Sequence, residues 1–145
     1  MKFRLPIVML LLALAWSTAF ADGPSVSASH IWIKTAPPGV HVLSGYLTLE
    51  NNTDKPLKIT GISSPDFKSV DLGTVNVGAH AAMPLTSVPL PPHKPLEFKP
   101  GGPHLRLMQP HRQLYEGDMV TLYFNFSDGS SLTLMASVTG QAPNS

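Results

Sequence analysis

The sequence predicts an all-β protein, a Greek-key β-sandwich or barrel in a single domain. Seven or more short segments have the alternation or the β-branched and aromatic content of strands, and turn clusters separate them at short intervals. After the first 21 residues no segment shows sustained helical periodicity. Fifteen prolines in 145 residues also argue against long helices.

The first half of the domain contains four predicted strands. Residues 25–34 (SVSASHIWIK) are rich in Trp and Ile and end at the PPG of 37–39. Residues 41–50 (HVLSGYLTLE) alternate, which places Leu43, Leu47 and Leu49 on one face, and the turn cluster NNTDKP follows. Residues 57–64 and 68–75 are the next two predicted strands, with the turn SPDF between them.

The second half ends in a predicted hairpin. Residues 95–99 (PLEFK) form a short strand that stops at the PGGP corner of 100–103. Residues 119–126 and 131–138 flank SDGS, whose Asp-Gly step favours a tight turn. Met119 and Met135 lie within these two strands and are interpreted as packing residues. The predicted inward faces of the hairpin are Val120, Leu122, Phe124 and Phe126, and Leu132, Leu134, Ala136 and Val138.

Residues 1–21 have the pattern of a cleaved signal peptide. Lys2 and Arg4 precede an apolar run, and small residues at 19 and 21 surround a cleavage point. The run is short for a membrane span, and no second one follows. We therefore expect residues 22–145 to be a single exported, soluble domain, in a bacterial periplasm or the extracellular space, with no membrane span after cleavage.

Composition excludes several classes of function. The expected mature chain has eight basic and nine acidic residues, which gives no electrostatic footprint for nucleic acid or anionic lipid. Without cysteine there is no disulfide and no thiolate site, so a metal would need histidine, methionine or carboxylate ligands. The sequence has no G-x-S-x-G motif, no paired-carboxylate motif and no complete phosphate-binding loop. We expect a protein that is not an enzyme.

A soft-metal site is the chemistry that the remaining residues favour, because thioethers and imidazoles suit Cu(I). In the extended stretch HLRLM, His104, Arg106 and Met108 point to one side while Leu105 and Leu107 point into the core. The position nearest to His104 on its face is thus 106, where arginine offers no lone pair to a cation.

The stretch HAAMPL supplies two further candidates, His80 and Met83, in a connection that a neighbouring strand could bring towards the His104 corner. The alternative is that His80 is exposed and Met83 only fills the end of the sandwich; spacing alone favours this alternative. The other four histidines have the contexts of surface or rim residues: His30, His41, His93 and His111.

Several stretches together resemble the PCuAC family of periplasmic copper chaperones, which are cupredoxin-like. They include residues 31–51, the SSP and VDL of 63–72, Met83, FKPGGPHLRLM (98–108) and LYEGDMVTLYFNFSDG (114–129). The resemblance implies a cupredoxin-like fold and a Cu(I) cofactor. It also implies a copper-donating or copper-accepting periplasmic partner, such as a cytochrome c oxidase subunit or a thioredoxin-like copper protein.

The family's metal motif transfers only in part. Of its four ligands, a Met corresponds to Met83 within one residue and a His corresponds to His104, whereas the other His falls on Gly73 and the other Met on Arg106. A fixed cation beside a cation site opposes binding by about 4 kcal/mol at 4 Å for an effective dielectric near 20, less in salt.

Three interpretations follow. Met83 and His104 bind Cu(I), with His80 as a substitute ligand; or the domain has lost copper and is a metal-free interaction module; or Arg106 turns the site towards an anion. The leading hypothesis is a periplasmic Cu(I)-binding chaperone, and the metal-free module is the alternative.

Overall fold

The structure, a computed structural model, describes residues 23–73 and 88–143. The predicted signal peptide, His80 and Met83 lie outside these ranges. The predicted all-β fold class is confirmed. The described residues form nine strands: β1 (Val26–Lys34), β2 (Val42–Asn51), β3 (Leu57–Ser63), β4 (Phe67–Gly73), β5 (Val88–Leu90), β6 (Pro95–Phe98), β7 (His104–Pro110), β8 (Met119–Phe126) and β9 (Ser131–Thr139).

The strands pair into one curled sheet of order β4-β7-β2-β1-β9-β8-β3-β5, with β6 added beside β2. β1 and β9 pair in parallel and join two antiparallel halves. β3 lies near one end of this order and β4 at the other, yet only residues 64–66 connect them. Because so short a connection cannot span a flat sheet, the sheet must curl until its two ends meet.

Hydrogen bonds fix this connection. The Ser64 hydroxyl donates to the Thr121 carbonyl at 2.6 Å, and the Thr121 N–H donates to the Asp66 carboxylate at 3.1 Å. The connection between β3 and β4 is thereby attached to β8.

The core follows the predicted alternation. Leu43, Leu47, Leu49, Leu105 and Leu107 are buried, as is the predicted inward face of β8. On β9, Ala136 and Val138 are buried while Leu132 and Leu134 are only half-buried. β5 was not predicted from the sequence, because three residues around a proline carry no readable alternation.

The interpretation of two methionines was wrong. Met119 and Met135 are 46% and 53% exposed, so they are not packing residues. Val120, next to Met119 in β8, is buried and points inward, and so is Ala136, next to Met135 in β9. Strand alternation therefore turns both methionine side chains to the face away from the core.

Candidate metal centre

His104 is the first residue of β7 and directly follows the PGGP corner. Gly101 turns the chain there with a φ of 81°, a region that favours glycine. The corner is closed by hydrogen bonds from the Lys99 N–H to the Pro103 carbonyl at 2.9 Å and from the Gly102 N–H to the Lys99 carbonyl at 3.0 Å. The His104 side chain therefore starts from a fixed backbone.

One ring nitrogen of His104 is used by this corner. His104 Nδ1 lies 3.1 Å from the Gly102 carbonyl oxygen. Because a carbonyl oxygen only accepts, Nδ1 carries the proton, and in the neutral ring Nε2 then holds the lone pair. A backbone carbonyl in this role orients a metal-binding imidazole and sets its tautomer. The lone pair of His104 Nε2 is therefore available to coordinate a metal cation.

Gly73 lies directly across from His104 in the β4–β7 pair. A Cβ atom at Gly73 would stand 2.8 Å from His104 Nε2 and 2.9 Å from Arg106 Cδ. Position 73, which corresponds to a histidine ligand in the PCuAC motif, therefore faces His104 Nε2. The His104 ring and the aliphatic part of Arg106 pack over the backbone of Gly73. No side chain fits there unless one of these two moves.

Arg106 lies between two strands on the same face. Its Cα partners are Asp71 on β4 and Ser44 on β2. Directly opposite residues share a face, so the Asp71 carboxylate and the Arg106 guanidinium lie on the same side of the sheet. In the described ranges no carboxylate lies within 4.0 Å of the Arg106 guanidinium. Asp71 offsets part of the positive charge of Arg106 without neutralising it in a close ion pair.

Two aromatic residues continue this face beyond His104. The Tyr46 ring lies 6.4 Å from the His104 ring and the Trp32 ring 4.6 Å from that of Tyr46, between ring centroids. Trp32 and Tyr46 are both buried although they point away from the main core. The same cross-strand row continues through Ser137 to Met119. We call this row the outer row; its members are Gly73, His104, Tyr46, Trp32, Ser137 and Met119.

The predicted site residues have different outcomes. The prediction that His104, Arg106 and Met108 share one face is confirmed, since each is half-buried while Leu105 and Leu107 are fully buried. Met83 and His80 fall outside the described residues, so their placement beside His104 stays a prediction. The four other histidines are exposed, as expected for surface residues. Within residues 23–73 and 88–143 no three His, Asp or Glu side chains come together as a metal site.

Sequence reasoning missed Asp71. The signal was present, because residues 71 and 73 of one strand alternate onto the same face. If the strand containing VDLG pairs with the one containing HLR so that Gly73 faces His104, Asp71 must face Arg106. A cation bound at His104 would therefore meet the negative charge of the Asp71 carboxylate as well as the positive charge of Arg106.

A family model described as "Putative lipoprotein LpqE-like" matches residues 26–138. The match covers most of the chain. The chain belongs to the LpqE-like family. Its sequence contains no cysteine, so none of these 145 residues offers a thiol for a lipid. No curated protein matches the sequence.

Solved structures of PCuAC domains share the fold of this LpqE-like chain. The copper-bound PCuAC domain of PmoF2 has a TM-score of 0.69 at 23% identity, covering 81% of this chain and 94% of that domain. The apo PCuAC domain of PmoF1 has a TM-score of 0.69 at 22% identity, covering 83% and 98%. The Cu(I) form of the Deinococcus radiodurans protein DR1885 has a TM-score of 0.63 at 26% identity, covering 81% and 78%.

These likenesses confirm the cupredoxin-like, PCuAC-like fold that the sequence predicted. The family to which the chain belongs is the LpqE-like one, and the resemblance to PCuAC proteins is confirmed at the level of the fold. Along the described ranges, no helix is long and apolar enough to cross a bilayer.

Proposed function

We propose that this LpqE-like protein binds Cu(I) and passes it to a partner protein, as a chaperone and not as an enzyme. The observation that carries the proposal is the Nε2 lone pair of His104, oriented by the hydrogen bond between Nδ1 and the Gly102 carbonyl. It lies on a fold that is similar to copper-bound domains. Imidazole nitrogen is a suitable ligand for copper in either oxidation state.

The second ligand in this proposal is the thioether of Met83, and His80 is the third. Two or three soft ligands are sufficient for Cu(I), which accepts low coordination numbers. The segment that holds both residues follows Gly73, and Gly73 lies opposite His104. The last residue described before this segment therefore lies beside His104 Nε2, which supports the proposal.

Arg106 weakens the site and Asp71 limits that weakening. Arg106 lies two residues from His104 and Asp71 two residues from Gly73, on the same face. Because opposite charges across a strand pair attract, the Asp71 carboxylate lowers the positive potential that a bound Cu(I) meets. The expected result is a weak, open site, and such a site suits release of the ion by ligand exchange.

The remaining parts of the proposal concern location and partners. A cleaved signal peptide over residues 1–21 would place residues 22–145 in the periplasm. A partner that offers more or better ligands would then take the ion by ligand exchange. Candidates are a subunit of cytochrome c oxidase or a thioredoxin-like copper protein.

An anaerobic Cu(I) titration against a chromophoric competitor tests the proposal. It compares the wild type with Met83→Ala, His104→Ala and Arg106→Met. Either alanine substitution should weaken binding, because it removes a ligand, and Arg106→Met should strengthen it about tenfold or more by removing a cation and adding a thioether. His111→Ala is the matched control, since His111 is exposed and its Nδ1 also bonds a backbone carbonyl, that of Pro65, at 2.9 Å.

The proposal fails if Met83→Ala and His104→Ala bind Cu(I) as tightly as the His111→Ala control. In that case the alternative stands, a metal-free interaction module on the same scaffold. The observation that favours this alternative is the packing of the Arg106 stem and the His104 ring over Gly73, which fills the place of a lost ligand. Capture of the same partner with and without a copper chelator would support that module.

A further inference from the structure

Met119 and Met135 are neighbours on the exposed face of the β8–β9 hairpin. In the register of this hairpin, Met119 faces Ser137 and Thr121 faces Met135. The two methionines are thus diagonal neighbours on one face, about 7–8 Å apart at the backbone, and long side chains can bridge such a diagonal. Each side chain has three rotatable bonds, so the two sulfur atoms can converge on one small ion.

The sulfur of Met135 is already oriented. The Thr121 hydroxyl donates a hydrogen bond to Met135 Sδ at 3.3 Å. A thioether sulfur has two lone pairs, and this hydrogen bond uses one of them. The other remains available on the exposed face, where Met135 is 53% exposed and Met119 is 46% exposed.

The electrostatic surroundings differ from those of the His104 site. Neither β8 (MVTLYFNF) nor β9 (SLTLMASVT) contains a charged residue, whereas Arg106 lies on the same strand as His104. The nearest charged group along the chain is Asp118. The Tyr115 backbone N–H and the Arg112 guanidinium hold the pKa of its carboxyl below the ordinary value, so it is ionised at neutral pH.

From this geometry we propose that Met119 and Met135 form a second binding site for a soft monovalent cation, Cu(I) or Ag(I), held by two thioether sulfurs. The site lies on β8 and β9, at the far end of the outer row from His104, with β2 and β1 between the two sites. It needs neither Met83 nor His104, so it binds its ion independently of the proposed function. Thioether ligands exclude hard cations such as Mg²⁺ and Ca²⁺.

Titration with Ag(I), followed by NMR of the methionine methyl groups, tests this site. Ag(I) is a redox-stable probe for a soft monovalent ion. The methyl signals of Met119 and Met135 should shift together, and the His104→Ala variant should retain this shift. Met119→Leu and Met135→Leu keep the volume of the side chain, and each should abolish the shift of the remaining methionine and remove one equivalent of bound ion. Met108→Leu is the control and should keep the wild-type stoichiometry.

Two results would overturn the site. One is an absence of any shift at Met119 and Met135 when Ag(I) exceeds the protein. The other is an unchanged number of bound ions in the Met119→Leu/Met135→Leu double variant. If His104→Ala binds as many ions as the wild type and as tightly, with full binding at Met119 and Met135, that result would count against the proposed function alone.

Discussion

At the scale of single residues, the absence of a side chain at Gly73 decides the form of the site. The His104 ring and the Arg106 stem occupy the space in front of this glycine, with 2.8 Å between His104 Nε2 and the place of a Cβ atom. A ligand at position 73 and an arginine at position 106 therefore compete for one volume. The two departures from the PCuAC pattern are physically coupled and should be tested together.

A double-mutant cycle on Gly73→His and Arg106→Met measures this coupling. Gly73→His alone should destabilise the protein by about 1–3 kcal/mol, because the new side chain displaces His104 or Arg106. With Arg106→Met, an uncharged and flexible side chain can make room, and positions 73, 83, 104 and 106 then hold two histidines and two methionines. We expect the double variant to bind Cu(I) more tightly than the two single effects predict, by at least about 1 kcal/mol of coupling energy.

The wild type, the two single variants and the double variant are compared in two measurements. Competition titration gives the coupling in Cu(I) binding, and chemical unfolding gives the coupling in stability. Ser69→His is a matched control, because it adds a histidine to an exposed position of the same strand. Additive effects within about 0.5 kcal/mol would contradict the claim that the two positions share one volume.

At the scale of structural elements, Asn51 attaches the turn after β2 to β5. It is fully buried, and its side-chain NH₂ donates to the Lys55 carbonyl at 2.7 Å and the Leu90 carbonyl at 3.0 Å. Its side-chain oxygen accepts from the Thr53 N–H at 2.9 Å and the Thr53 hydroxyl at 2.7 Å. Every hydrogen-bonding group of this buried amide is therefore used.

Replacing this amide should be costly. Asn51→Leu leaves the Leu90 carbonyl without its buried partner and also removes the part-buried bonds to Lys55 and Thr53. We expect a loss of about 2–4 kcal/mol in the free energy of unfolding. Asn52→Leu, at the exposed neighbouring position, should cost less than about 1 kcal/mol. Equal losses for the two variants, measured by urea unfolding, would show that the buried network does not hold the turn.

The strands themselves show what a single sequence can predict. Alternation in 41–50, 104–108 and 119–126 is strong enough to fix which residues face the core, and the structure agrees. It cannot separate a packing methionine from an exposed one, because methionine occurs in both environments. For this reason the prediction that Met119 and Met135 are packing residues is wrong, although strand alternation alone places both on the outward face.

At the scale of the whole molecule, the site depends on strand order, which local patterns do not contain. β4 and β7 are neighbours in the sheet but not consecutive in the chain, and the same is true of β7 and β2. The meeting of Gly73, Asp71, His104 and Arg106 follows from this order, and so does the Trp32–Tyr46 packing beside His104. Composition and periodicity predicted an all-β domain, whereas the arrangement of the site required the family resemblance or the structure.

The same order separates the two proposed sites. β7 and β8 lie on either side of β2, β1 and β9, so His104 and Met119 are four strand spacings apart, about 19 Å along the sheet. One ion cannot bind both. An experiment that reads the ligands of the bound copper directly therefore needs a protein from which the methionine pair on β8 and β9 has been removed.

X-ray absorption of the Met119→Leu/Met135→Leu protein carrying one equivalent of Cu(I) tests the central claim most directly. The account predicts that the copper is bound by an imidazole nitrogen and by sulfur together. Adding Met83→Leu should remove the sulfur signal, and adding His104→Ala should lower the imidazole signal to the contribution of His80. A copper coordination shell without sulfur would contradict the claim that Met83 and His104 bind the same ion. So would an absorption spectrum that Met83→Leu leaves unchanged.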